Sequence, residues 1–306
     1  MLVSVKFIVA HRKDPNNVGD IASNPLQYFL PPDEYQTIDV AKLDQEVYPT
    51  GVPIILGGGG LLCNSFIGDP AEDLLHSPDR DKLRHIYDNT WELSNPGLAG
   101  LHQNFVSQFQ NLVQQTISQI PTNIVPRYVW GAGHNGDLVG STEDLPRYPK
   151  AFSEYSAIGI RDYNEKSRYD WVPCASAMHP ALLKDYPIKN DIIWFEHKKQ
   201  MLKDFGNDSI PRFVNSGSNI DHTIELLGSA NIILTNSYHG AYWGTLLKKR
   251  VVVVGPWSSK FQFMKHQPVM PSKRESWQDA LERAVIYPNA LAECRNANEN
   301  FWNRIK

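Results

Sequence analysis

The chain alternates short apolar runs with polar, glycine-rich or charged breaks. The clearest example is residues 231–260, NIILTNSYHGAYWGTLLKKRVVVVGPWSSK. Ile232 to Leu234 form an apolar run, polar Thr235 to Ser237 follow, and Tyr238 to Lys249 has helical character. Val251 to Val254, all β-branched, make a second run that Gly255-Pro256 ends. A strand, a helix-length connection and another strand form the pattern of a βαβ unit. Upstream, Leu2–Ala10, Val52–Leu56, Ile124–Trp130, Ser156–Ile160, Asp191–Phe195 and the short Arg212–Val214 also read as strands. Asn24–Leu30, Leu98–Ile120, Asp221–Leu227, Trp277–Val285 and Asn298–Arg304 read as helices, and Pro173–Pro180 as a loop. Prolines and charges without a period at Ser141–Lys150 mark a boundary, which predicts domains at residues 1–150 and 151–306.

Ligands of open parallel sheets bind outside the carboxyl ends of the strands, so the residues that end each run are the candidate site. After the first strand comes Asp14-Pro15-Asn16-Asn17-Val18-Gly19-Asp20, which suits a ligand loop or a turn with a helix cap. The second strand runs into Gly57-Gly58-Gly59-Gly60, read as a glycine loop where a phosphate, carboxylate or sugar lies against bare backbone. No Gly-Lys-Ser/Thr follows, so it is not a P-loop. The third strand ends in Gly131-Ala132-Gly133-His134-Asn135, the fourth in Arg161-Asp162 and the fifth in Glu196-His197-Lys198. Thr235 to Gly240 would place His239 at a helix start, where free N–H groups favour anions, with Gly240 admitting the ligand to the backbone. The expected architecture is α/β, two Rossmann-like domains facing a cleft in the GT-B manner.

Composition narrows the partners. A 306-residue chain that is 42% hydrophobic supports packed cores. A formal net charge of -3 gives no electrostatic reason to expect nucleic acid or an anionic membrane. Three scattered cysteines suggest neither a disulfide framework nor a CxxC metal or redox motif. The scattered histidines show no metal-ligand spacing, so no metal or other cofactor is expected. No run reaches the length of a membrane span, and the expected location is cytoplasmic.

Several short motifs, in order, resemble the polysaccharide pyruvyl transferase family: Asn17-Val18-Gly19-Asp20, Gly58-Gly59-Gly60-Leu61-Leu62, Gly159-Ile160-Arg161-Asp162, Ser229-Ala230-Asn231 through Tyr238-His239-Gly240, and Lys260. The resemblance implies a GT-B-like fold and transfer of pyruvate from phosphoenolpyruvate to a pair of sugar hydroxyls, giving a ketal on a surface glycan or exopolysaccharide. The acceptor would be a sugar or lipid-linked oligosaccharide, and peripheral association with glycan-assembly proteins would fit that setting. Two positions depart from the family's pattern. Ser237 stands where the family often has arginine, and Asn64 where it often has aspartate, so one cation and one carboxylate are missing. Either the donor differs, or residues such as Lys260, Lys265 or His266 supply the charge.

Phosphoenolpyruvate carries a phosphate and a carboxylate, which a planar guanidinium binds through two oxygens. Arg161 is the expected clamp, and His239 the expected acid toward the enol carbon or, as imidazolium, the holder of the leaving phosphate. Asp20 is the expected base toward a sugar hydroxyl. Gly58, Gly59, Gly60, Asn64, Ser237, Tyr238, Gly240 and Lys260 are expected around the donor, Asn17 and His134 around the acceptor, and Trp257 either stacks on a sugar ring or packs in the core. Two other readings remain: a glycosyltransferase of the same architecture, with Glu225 near a nucleotide ribose, and a silent glycan-binding relative, favoured by Ser237 and Asn64.

Overall fold

The computed structural model describes residues 5–39, 51–62, 126–134, 155–198, 209–272 and 274–306. Their strands form two sheets, parallel throughout. Six belong to the first: β1 (Phe7–His11), β2 (Tyr35–Asp39), β3 (Ile54–Leu62), β4 (Arg127–His134), β5 (Ala157–Ile160) and β6 (Asp170–Trp171), in spatial order β2-β1-β3-β4-β5-β6. Four belong to the second: β7 (Asn190–His197), β8 (Arg212–Asn215), β9 (Ala230–Thr235) and β10 (Arg250–Val253), in order β10-β9-β7-β8. Each order reverses direction once. The first sheet switches between β1 and β3, the second between β7 and β9.

Alternation along β1 divides the first sheet's core. Ile8 and Ala10 pack with Ile38, Leu56, Val129 and Ile160 on one face. Phe7 and Val9 pack with Ile55, Trp130, Phe301 and Ile305 on the other. In the second sheet, Ile193, Ile233, Val251 and Val253 face helices, while Trp194, Leu234 and Val252 face the opposite side.

Two helices tie the sheets together. Helix α1 (Val18–Ala22) follows β1, yet Val18 and Ala22 bury in the cluster built on the second sheet. Helices α2 (Ile220–Gly228), α3 (Tyr238–Leu246) and α4 (Trp277–Glu282) follow in order, and the chain closes with α5 (Ala290–Ile305). In α5, Ala290 and Cys294 join the second sheet's cluster and Phe301 and Ile305 the first sheet's. Between them, buried Asn298 accepts from Trp130 Nε1 at 2.7 Å and donates to the Pro173 carbonyl at 3.3 Å. That satisfies an amide whose burial would otherwise be costly.

Several expectations change. The strand at 157–160, expected to open the second half, pairs with β4, so the passage between sheets falls after Trp171 rather than near residue 150. The helix expected at Asn24–Leu30 is a 3-10 turn, Leu26–Tyr28, because the regular helix starts earlier, where Asn17 accepts from Gly19 N–H, and ends before Asn24-Pro25. The glycine run is not a loop: it continues β3 to Leu62, with Gly58 and Gly59 at positive φ. The closing helix starts at Ala290, not Asn298. Pro173–Pro180 contains a short 3-10 turn, Ala175–Met178. Helix Leu98–Ile120 and Asn64 lie outside the described residues. Among the described residues no helix is long and apolar enough to cross a membrane.

Candidate active site

Both switch points open onto one cavity of about 120 Å³. From the first sheet, the segment after β1 contributes Arg12, Asp14, Asn17 and Asp20, β3 contributes Gly59, Gly60 and Leu61, and the end of β5 contributes Arg161. From the second sheet come His197 and Lys198 after β7, Asn215 at the end of β8, Ser237 to His239 at the start of α3, and Trp257 and Lys260 beyond β10. Every one of these positions lies at or beyond the carboxyl half of a parallel strand, where the reversal of strand order leaves a crevice.

The cavity is cationic. Arg161 is buried to 4% exposure. Its guanidinium lies 4.2 Å from the Tyr238 ring centroid and donates to the His134 carbonyl at 3.0 Å. Arg12 grips Asp39 through both carboxylate oxygens, at 2.8 and 3.1 Å. Lys260 sits 3.6 Å from the Trp257 ring centroid. Lys198 reaches across to Asp14 at 2.5 Å and to the Asn16 carbonyl at 3.3 Å. These last contacts join the loop after β1 to the end of β7 at the cavity mouth.

Two titratable groups have moved in opposite directions. Asp20 is half-buried at the cavity wall, and its lost hydration raises the carboxyl to about 7, against the pull of Arg12 and Lys198. Near neutrality this acid is about half protonated, which suits proton transfer. Burial, with the charges of Arg161 and Lys260, lowers His239 to about 3. Its ring is therefore neutral at pH 7 in the ligand-free site, and the imidazolium expected to hold a phosphate is not present there. The ring is also confined: Nε2 lies 3.6 Å from Cys174 Sγ, and a Cβ on Gly19 would come within 1.9 Å of Nδ1.

The sequence-predicted residues separate. Asp20, Asn17, Gly59, Gly60, Arg161, Ser237, Tyr238, His239 and Lys260 meet in the cavity. Gly58, Gly240 and His134 do not line it. A Cβ at Gly58 would strike the Ser23 carbonyl at 2.1 Å, and one at Gly240 would strike Phe195 and Thr235, both at 2.5 Å, so both glycines serve close packing. His134 is buried against Phe263, its ring lowered to about 3 by burial and by Arg161. Lys265 and His266 do not line this cavity: both bind Glu293, at 2.7 and 2.8 Å, beside a small neighbouring cavity that shares Arg161 and Tyr238 with it. Glu225 is exposed and pairs with Lys189.

Arg12 and Asn215 have no part in the sequence reading of the site, whereas Asp14, His197 and Lys198 fall in the strand-end segments it marks, without a role for each. For Arg12 and Lys198 the signal was present, since each follows a strand that ends in charged residues. Asn215 gives no such signal: it ends a four-residue strand, and only the pairing of β8 with β7 sets it beside His197. Among the described residues no three His, Cys, Asp or Glu side chains gather as a metal site would.

No family model matches the chain, and no curated protein matches it. Among solved structures, it is similar to a protein from Klebsiella pneumoniae described as a functional uncharacterized protein. The two share 16% identity over 82% of this chain and 83% of that one, with a TM-score of 0.38. A likeness this distant carries no argument about function.

Proposed function

We propose that the protein is a pyruvyltransferase of GT-B-like architecture. In this reading phosphoenolpyruvate binds in the cavity between the sheets, and its pyruvyl group is transferred to two hydroxyls of one sugar. One observation carries the reading: both topological switch points open onto a single cavity that gathers Arg12, Arg161, Lys198 and Lys260 around a carboxyl raised to about 7. A donor with a phosphate and a carboxylate is the ligand class that such a group of cations favours. Arg161 is the clamp, held rigid by Tyr238 and the His134 carbonyl. Lys260 and Lys198 act as point charges toward phosphate.

The reaction needs one proton at the methylene carbon of the donor. That converts the enol carbon into an electrophile, a sugar hydroxyl adds to it, and the C–O bond to phosphate breaks. The first hydroxyl's proton restores the acid that protonated the methylene carbon; the second hydroxyl then closes the ketal, and its proton leaves with the phosphate. Asp20 is the group we assign to this proton traffic, since it holds a proton for about half the time at neutral pH. His239 takes part as a neutral hydrogen-bonding ring. The glycosyltransferase reading loses its ribose partner, because Glu225 lies outside the cavity and binds Lys189.

The test is incubation with phosphoenolpyruvate and a panel of pyranosides, following inorganic phosphate and a new methyl singlet by NMR. The proposal expects phosphate release that depends on the sugar and equals the ketal formed. Release from a nucleotide-sugar instead, or from neither donor, would overturn it.

A further inference from the structure

The cavity has a second wall, to which Asn215, Ser237, His197 and Trp257 contribute. Asn215 and His197 stand side by side at the ends of β8 and β7. Asn215 is buried to 4% exposure, and its Nδ2 donates to Ser237 Oγ at 3.0 Å. Its Oδ1 is buried and has no hydrogen-bond partner among the described residues. Both side chains line the cavity. A buried amide oxygen left unpaired costs stability, so it marks a place where a ligand donor completes the bond. The Ser237 hydroxyl, already accepting from Asn215, keeps its own hydrogen to donate.

The chemistry of that partner is constrained. A carboxylate or a fully ionised phosphate offers only acceptor oxygens and is repelled by Oδ1. An ammonium group would enter a cavity already holding Arg161, Lys198 and Lys260. A neutral hydroxyl, which donates to Oδ1 and accepts from Ser237, meets both demands. Beside it, the His197 and Trp257 rings lie 5.1 Å apart and offer an apolar edge to the C–H faces of a sugar ring.

We infer that Asn215 and Ser237 form the acceptor subsite, with Asn215 Oδ1 receiving a hydroxyl of a neutral pyranoside. This rests on the reading of the cavity as a transferase site, but it specifies which wall takes the sugar and predicts that an uncharged sugar suffices.

Saturation-transfer NMR titrations with neutral methyl pyranosides, and separately with phosphoenolpyruvate, test it on the parent, Asn215→Ala, Asn215→Asp and Arg161→Ala. At least one pyranoside should bind the parent. Asn215→Ala should weaken that sugar about tenfold, the loss expected for one hydrogen bond to a buried group, and leave phosphoenolpyruvate within twofold. Asn215→Asp keeps an acceptor oxygen and should retain the sugar, whereas Arg161→Ala should lose phosphoenolpyruvate and keep the sugar. Melting temperatures without ligand identify any variant that fails to fold. No pyranoside binding to the parent, unchanged sugar affinity in Asn215→Ala, or equal loss in the alanine and aspartate variants would overturn the subsite. Sugar binding that depends on Asn215 without any binding of phosphoenolpyruvate would leave it standing and remove the donor instead.

Discussion

Asp20 and His239 start from ordinary side chains and end with opposite tendencies, because burial disfavours whichever form is charged. For Asp20 that means keeping its proton up to about pH 7, for His239 refusing one until about pH 3. Removing the carboxyl by Asp20→Asn is expected to lower turnover by about 100-fold or more while phosphoenolpyruvate still binds, the range typical of lost acid–base catalysis. Steady-state rates with a donor titration check it; a loss confined to KM would contradict the role. The same change also has a signature in stability. The folded state holds the Asp20 proton over a window, roughly pH 4 to 7, in which the unfolded chain has released it, so this group's contribution falls as pH rises through that window. Asp20→Asn should therefore raise the melting temperature, relative to the parent, more at pH 8 than at pH 5.

At the scale of elements, what matters is how closely α1 approaches α3. Gly19 sits against the His239 ring, with no room for a methyl group. Gly19→Ala forces the ring or the helix to move, and overpacking of this kind costs on the order of 1–3 kcal/mol. Thermal melting should show the loss, and donor affinity should fall with it; an unchanged melting temperature would mean that the two helices are not held in register. The elements also show what the sequence could reveal. The apolar run at 232–234 lies within β9, the run at 251–254 coincides with β10 as far as Val253, and the helical stretch Tyr238–Lys249 is α3 as far as Leu246; the apolar runs are legible because burial on both faces of a parallel strand leaves a continuous apolar signature. The glycine run was legible as a place of close approach. Its assignment to a loop failed because pairing with β4 continues through Gly59 and keeps the run in the sheet. Nothing in the local pattern announces β6, whose two residues are a strand only through pairing with β5. Asn215 stayed hidden for the same reason: its place in the cavity follows from long-range pairing, not from its neighbours in sequence.

At the scale of the molecule, the two sheets are joined by α1, by α5 and by the Lys198–Asp14 bridge at the cavity mouth. Both partners of the bridge are about one-fifth to one-quarter exposed, so its strength is modest. A double-mutant cycle of Asp14→Ala and Lys198→Ala should give a coupling of about 1 kcal/mol or less in urea unfolding. Coupling of zero would mean that the bridge does not hold the lobes. Acid should weaken the whole fold. His11, His134 and His239 are each lowered by burial, to about 4, 3 and 3. Below about pH 6.5 the unfolded chain takes up protons that these folded rings refuse, so stability falls as pH drops toward 4. Asp20 opposes this over part of the range, but three groups outweigh one. The urea midpoint should be lower at pH 5 than at pH 7, and His134→Gln should reduce the difference.

We propose that the cationic cavity between the sheets receives phosphoenolpyruvate, with Arg161 as its clamp. A melting scan with millimolar phosphoenolpyruvate, on the parent and on Arg161→Ala, tests it most directly. A ligand at one hundred times its Kd adds about 2.7 kcal/mol of stability, enough to shift the melt visibly. The melting temperature of the parent should rise clearly, and the rise should disappear in Arg161→Ala. No shift in the parent, or an equal shift in both proteins, would contradict it.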